Sequence, residues 1–278
     1  TIEFIEMTSK HEKRIHRHQA SEYSNIPSGT GTGCLQNYKI PSDTLPSKVS
    51  LESISRYYGF LGNEEDNTSD IDITSCFATR LAFFLIESIA SSAATLTRSG
   101  SFEKKFYNYC MESAAATELE EEIGDPELLI IYIRQCLHLL KAGGIVGRNG
   151  SRATVDTAAT SRRTVYFRLF NAFWNRCRWE DIFPSDTASA RALNESRNIL
   201  KDLLVRHEGA VRMDSVANEF FDMTGFCNKN NLFMISFLDF YFFTWLKHFG
   251  MIRYTAGQET TPVRISVTGT GKKILKSF

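Results

Sequence analysis

The chain has no net charge: lysine plus arginine and aspartate plus glutamate number 32 each among 278 residues. No whole-molecule field therefore draws it to nucleic acid or to an anionic surface, and an electrostatic partner has to be met by a local patch. Close-spaced cysteines are also missing. Cys34, Cys76, Cys110, Cys136, Cys177 and Cys227 are scattered singly, which excludes a zinc knuckle or a Cys-x-x-Cys redox motif and leads us to expect reduced thiols in a cytoplasmic protein. No apolar run reaches the roughly 18 to 20 residues that span a bilayer. The stretch from Leu232 to Phe249 comes nearest, but Ser236, Asp239, Thr244, Lys247 and His248 interrupt it, so no membrane partner is expected. The first residues form no basic-then-apolar leader, and no signal peptide is expected.

Chemical motifs are equally sparse. Gly29, Gly31 and Gly33 alternate with threonines, but no buried strand precedes them and no lysine follows at phosphate-loop spacing, so they read as an irregular arm. His11, His16 and His18 lie among Lys10, Lys13, Arg14 and Arg17, whose repulsion disfavours a divalent metal; a solvated basic helix is the reading. Glu118, Glu120, Glu121 and Glu122 form an acidic run of the kind that usually makes a solvated face or turn. Cys110, Cys136 and Cys177 fall in apolar helical surroundings, which raise a thiol's pKa and make it inert. No nucleophile with a base and no carboxylate pair emerges. We expect no enzyme, no metal and no cofactor.

What the chain does have is a pattern that occurs twice. Leu140, Lys141, Gly144, Ile145 and Val146 lead through Arg148 to Arg152 into Ala153, Thr154 and Val155. Leu246, Lys247, Gly250, Met251 and Ile252, 106 positions later, lead into Val263, Ile265 and Val267, with the returning strand offset by 112 because the second turn is six residues longer. Each copy is an apolar helix, a glycine stop and a two-strand hairpin. Around them the periodicity predicts helices from Ser75 as N-cap with Phe77, Leu81, Phe84, Leu85 and Ile89 inward, from Ser101 to about Thr117, and from Asp125 as cap with Pro126 in the first turn to Ala142. A joining helix, Arg162 to Arg178, is heavily aromatic. The second half repeats the order with helices over Thr187 to Arg206, Asp214 to about Met223, and Asn230 to Phe249, then a hairpin and a closing helix from about Thr268. The N-terminal segment suggests an irregular arm and a short helix from Val49 to Phe60, with an acidic linker over Asn63 to Asp72.

The two helix–glycine–hairpin signatures and the element order resemble the winged-helix (helix-turn-helix) superfamily, in two tandem copies over roughly residues 75 to 278. The segment Leu96 to Phe106, with Thr97, Ser99 and Gly100 ahead of a helix, is loosely similar to poorly characterised bacterial winged-helix proteins. The expected fold is mainly α, with short β-hairpin wings: an arm over 1–74, a first repeat with its connecting helix over 75–183, and a second repeat over 184–278. The resemblance implies a binding module, commonly for double-stranded DNA. In that case Arg148 and Arg152 on the first wing would hold phosphates, while Arg134, Gln135, His138 and Lys141 on one side of the third helix would approach bases. The second copy's third helix is overwhelmingly apolar and carries Asp239, so it looks built to be buried. The alternative is a protein partner, either a second copy of the chain or another protein, met through the aromatic helices.

Overall fold

In the computed structural model, residues 71–115, 117–156, 161–178, 187–224, 238–255 and 263–278 are described. The expected arm with its histidines and glycines, the helix from Val49, the turn of the second wing and the start of the helix from Asn230 lie outside them.

The described residues are mainly helical, with two small antiparallel sheets. The first repeat opens with α1 (Phe77–Ser92). Its N-cap is Cys76, not Ser75. Ser75 is held one position earlier by a turn in which Thr74 donates its backbone N–H and its hydroxyl to the Asp72 carboxylate. After α1 the chain passes through an extended stretch, where Thr95 bridges Arg152 and Leu96 bridges Phe102. The second bridge delays α2 to Lys104–Ala114 rather than Ser101. The acidic run forms a short helix, α3 (Glu118–Ile123), whose cap Thr117 accepts from the Leu119 N–H. Then comes α4 (Pro126–Ala142), capped as expected by Asp125, which accepts from the Glu127 N–H at 2.8 Å. A hairpin of β1 (Val146–Asn149) and β2 (Arg152–Val155) follows. The joining helix α5 (Arg162–Asn171) widens into a π-helical turn, Ala172–Arg176.

The second repeat contains α6 (Thr187–Arg206), β3 (Val211–Arg212), α7 (Met213–Thr224), a π-helical turn (Leu238–Phe243) running into α8 (Thr244–His248), β4 (Ile252–Thr255), β5 (Arg264–Val267) and α9 (Gly269–Ser277).

The pairing registers carry the repeat into three dimensions. Val146 faces Val155 and Asn149 faces Arg152 in the first hairpin; Ile252 faces Val267 and Thr255 faces Arg264 in the second. These are the pairs that offsets of 106 and 112 superimpose. In both copies the stretch between the first two helices adds a third partner to the returning strand: Thr95 opposite Arg152, and Arg212 opposite Arg264. Gly144 and Gly250, which end the helices, have φ of +67° and +72°, a conformation L side chains rarely adopt.

One aromatic cluster joins the repeats. Phe170, Phe173 and Trp174 from α5 and its π-helical turn meet Phe242, Trp245 and Phe249 from the second repeat, and all six are essentially buried. The Tyr166 hydroxyl donates to the Phe249 carbonyl at 2.8 Å, and Trp245 Nε1 donates to Gln135 Oε1 at 2.7 Å. The described part of the apolar stretch expected from Asn230, residues 238–249, thus packs Phe242, Trp245 and Phe249 against the first repeat.

The closing helix is anchored at a tight contact. Thr268 caps α9 by accepting from the Gly271 N–H, and its hydroxyl donates to the Gly250 carbonyl. A Cβ on Gly271 would lie 2.2 Å from the Met251 carbonyl oxygen. Gly271→Ala is therefore expected to lower stability by about 2 kcal/mol, read from urea unfolding followed by circular dichroism. A loss too small to measure would mean that α9 shifts away from the hairpin at no cost.

Candidate functional site

The six expected site residues separate into two groups. Arg134, Gln135, His138 and Lys141 lie on α4, which packs against α1, α2, α3, α5 and β1 and meets Trp245 of α8. No residue from Leu128 to Ala142 is exposed. Gln135 is only 6% exposed, with its carbonyl oxygen occupied by Trp245. Lys141 is half-buried; its ammonium donates to the Gly100 carbonyl and lies 4.6 Å from the centre of the Phe102 ring, and burial lowers its pKa. The Arg134 guanidinium covers the Tyr107 ring at 5.1 Å. His138 is half-buried as well. On α4, then, Gln135 spends its carbonyl on Trp245, while Arg134, His138 and Lys141 keep part of their surface in solvent.

Arg148 and Arg152 are exposed on the wing. The structure brings to them a residue that the sequence reading passed over. Leu96 N–H donates to the Ser151 carbonyl, and Ala153 N–H to the Ala94 carbonyl, so the loop before α2 runs beside the hairpin. Its turn, closed by Gly100 N–H to the Thr97 carbonyl, presents Arg98, also exposed. The Arg148 guanidinium bridges the two loops, donating Nε to Gly150 O at 2.5 Å and Nη1 to Arg98 O at 3.4 Å. Arg98, Arg148 and Arg152 and the hydroxyls of Ser99 and Ser151 are thus carried by two adjacent loops, with Arg148 beside Ala153 and Arg152 beside Asn149 on opposite faces of the hairpin. Glu103, in the adjoining stretch, is ion-paired with Lys105 at 3.0 Å, and that partner and Thr95 hold its carboxyl below the usual range. Arg152 has no ion pair among the described residues. The arrangement can hold an anion with several oxygens, because guanidinium groups offer forked donors in a plane. The signal for Arg98 in the sequence was Gly100 beside it, a turn residue with φ of +84°.

A second set of polar groups lies where α8 meets α1 and α4. His248 is 6% exposed, its ring 4.3 Å from Phe77 and 4.8 Å from Tyr132 between centres, and its Nε2 has no hydrogen-bond partner. Burial, with Lys247 adding to it, pushes its pKa down to about 3. Asp239 accepts from the Tyr254 hydroxyl at 2.5 Å. Its carboxyl is pushed up to about 6 by burial, against the pull of that hydrogen bond and of Lys247.

Cys110 and Cys136 are buried, and burial raises both thiols, Cys110 to about 12. Neither is a nucleophile at neutral pH. Among the described residues no group of three or more histidines, cysteines or carboxylates is placed to hold a metal ion, and no helix is long and apolar enough to cross a membrane. Comparison with known proteins found no matching family model, no similar curated protein and no similar solved structure.

Proposed function

We propose that the chain is a non-catalytic binding module built of two tandem winged-helix repeats, and that it holds double-stranded nucleic acid by phosphate contacts from the first wing. The observation that carries this reading is the exposure of Arg98, Arg148 and Arg152 on two adjacent loops in a chain with no net charge. Such a patch stands out because the whole molecule provides no field of its own. The repeated register and third-strand pairing support the winged-helix part of the reading. Because Gln135 is buried and the Lys141 ammonium is held by the Gly100 carbonyl, few donors on α4 are left for bases, and binding is expected to tolerate sequence.

The test is fluorescence anisotropy of random-sequence duplex DNA at two salt concentrations. Wild type is expected to bind more weakly as salt rises. Arg148→Ala with Arg152→Ala should cost roughly tenfold in affinity and flatten the log–log salt slope by about 1.8, since each lost phosphate contact removes about 0.9. Equal binding and equal slopes for wild type and the double variant would remove the wing from the interface.

A protein partner is the second reading. What supports it is that both third helices spend their faces on packing within the chain, which is an assembly role. Its homodimer form, through the aromatic helices, would need faces beyond the cluster that Phe170, Phe173, Trp174, Phe242, Trp245 and Phe249 already fill; Tyr109 and Met223 are the only large hydrophobic residues exposed among those described. Absence of DNA binding even at low salt would shift the weight to a protein partner met through some other face.

A further inference from the structure

The second sheet repeats one exposed arginine and one hydroxyl of the first at equivalent places and adds a further arginine. In the register set by the two hairpins, Arg264 occupies the position of Arg152, Ser266 that of Thr154, Thr255 that of Asn149, and Arg253 that of Gly147. Alternation along the strands then sorts the side chains by face. Ile252, Tyr254, Ile265 and Val267 turn toward the core, with Ile252 and Ile265 at 1% and 0% exposure. Arg253, Thr255 and Arg264 lie on the other face and are exposed, and β3 adds Arg212 directly opposite Arg264.

Like charges placed opposite each other across strands destabilise a sheet, and this one meets the problem for only one of the pair. Asp214, almost buried, takes the Arg212 guanidinium with both oxygens, at 3.0 and 2.5 Å. Arg264 has no ion pair among the described residues. It is left solvated, as Arg152 is in the first repeat. No large hydrophobic residue is exposed on this face, so nothing there suits an apolar protein contact. Guanidinium groups interspersed with the hydroxyls of Thr255 and Ser266 form the donor set that phosphodiester oxygens take up.

We infer that the solvent face of the second sheet, through Arg253 and Arg264, is a second surface for the phosphate backbone of nucleic acid, with Arg264 at the place that Arg152 holds in the first hairpin. This inference rests on the reading of the chain as a nucleic-acid-binding module, and it adds a contact that the apolar third helix of the second repeat would otherwise argue against.

The experiment compares the full chain with three variants, Arg148→Ala/Arg152→Ala, Arg253→Ala/Arg264→Ala and the four combined, on random-sequence duplex DNA across a salt series. The second pair is expected to weaken binding roughly tenfold and to flatten the salt slope by about 1.8, and the four together should bring binding close to nothing. Arg253→Lys/Arg264→Lys should keep most of the affinity, because charge is retained. That variant also separates a lost contact from a damaged sheet, since a structural loss would leave the lysine pair as weak as the alanine pair and would overturn the inference.

If the second pair binds like wild type while the first pair is weakened, the second surface is wrong and the first-wing reading stands. If only the second pair weakens, the inference stands and the first-wing reading falls. A wild-type protein that does not bind duplex DNA at low salt overturns both.

Discussion

Trp245→Ala is expected to cost about 3–5 kcal/mol of stability, the range for emptying a large aromatic site, and to lower both repeats together. Trp245 is 0% exposed, with ring contacts to Tyr132, Phe173, His248 and Phe249. Its removal opens a cavity between the repeats and leaves the buried Gln135 carbonyl without its donor, a second cost of about 1–3 kcal/mol where no water can enter. Trp245→Phe separates the two effects, keeping most of the volume while still orphaning Gln135. Adding Gln135→Leu should then recover part of the loss, a coupling that a double-mutant cycle measures. Urea unfolding followed by circular dichroism and by the remaining tryptophans should give one transition, since the cluster is shared. Two transitions, or a loss below about 1 kcal/mol, would mean that the repeats are stable separately and that the interface is incidental.

Acid should act on the same interface through His248. A histidine whose folded pKa lies below its unfolded value of 6.5 resists protonation in the fold while the unfolded chain accepts it. Stability is therefore lost as pH falls below about 6.5, by about 1.4 kcal/mol per pH unit, until the folded value of about 3 is reached. Asp239 works the other way. With its folded value raised to about 6 from 3.8, the folded chain takes the proton first, and stability rises as pH falls through that window.

Between pH 6 and 4 the two slopes oppose each other, and the wild type should look nearly flat. His248→Phe keeps a ring against Phe77 and Tyr132 and removes the titration. Relative to wild type it should gain about 2–3 kcal/mol on going from pH 7.5 to 4.5. Asp239→Asn should do the opposite, steepening acid loss. Denaturant melts at the two pH values read this directly; a His248→Phe advantage that does not change with pH would show that the imidazole reaches solvent in the fold.

Much of the local structure was legible. Asp125 and Pro126 announced the start of α4, because a carboxylate cap and a proline in the first turn are local devices that need no tertiary partner. The hairpins followed from Gly144 and Gly250, whose positive φ values end each helix. β3 and the stretch at Thr95 did not show themselves, since two residues carry no measurable alternation. Nor did the π-helical turns at Ala172–Arg176 and Leu238–Phe243, which keep the composition of an ordinary helix.

The site was legible only in part, and the reason is geometric. Arg148 and Arg152 stand on the two strands beside the projecting turn of Gly150 and Ser151, so their exposure followed from the hairpin itself. The partners of the polar residues of α4 did not show in the sequence, because polarity at helical spacing looks the same whether a face is open or packed. Gln135 is instead polar to meet Trp245, 110 residues away.

The approximate helix positions, the Asp125 cap, the glycine stops and the hairpin pattern rest on near neighbours along the chain and could be read from the residues alone, whereas the cap at Cys76 and the start of α2 at Lys104 could not. Only the tertiary structure decided which faces remain open. Burial of α4 by α1, α2, α5 and Trp245, the meeting of Arg98 with the first wing, and the solvent face shared by Arg253 and Arg264 depend on pairings between distant segments, and local periodicity carries no record of a distant partner.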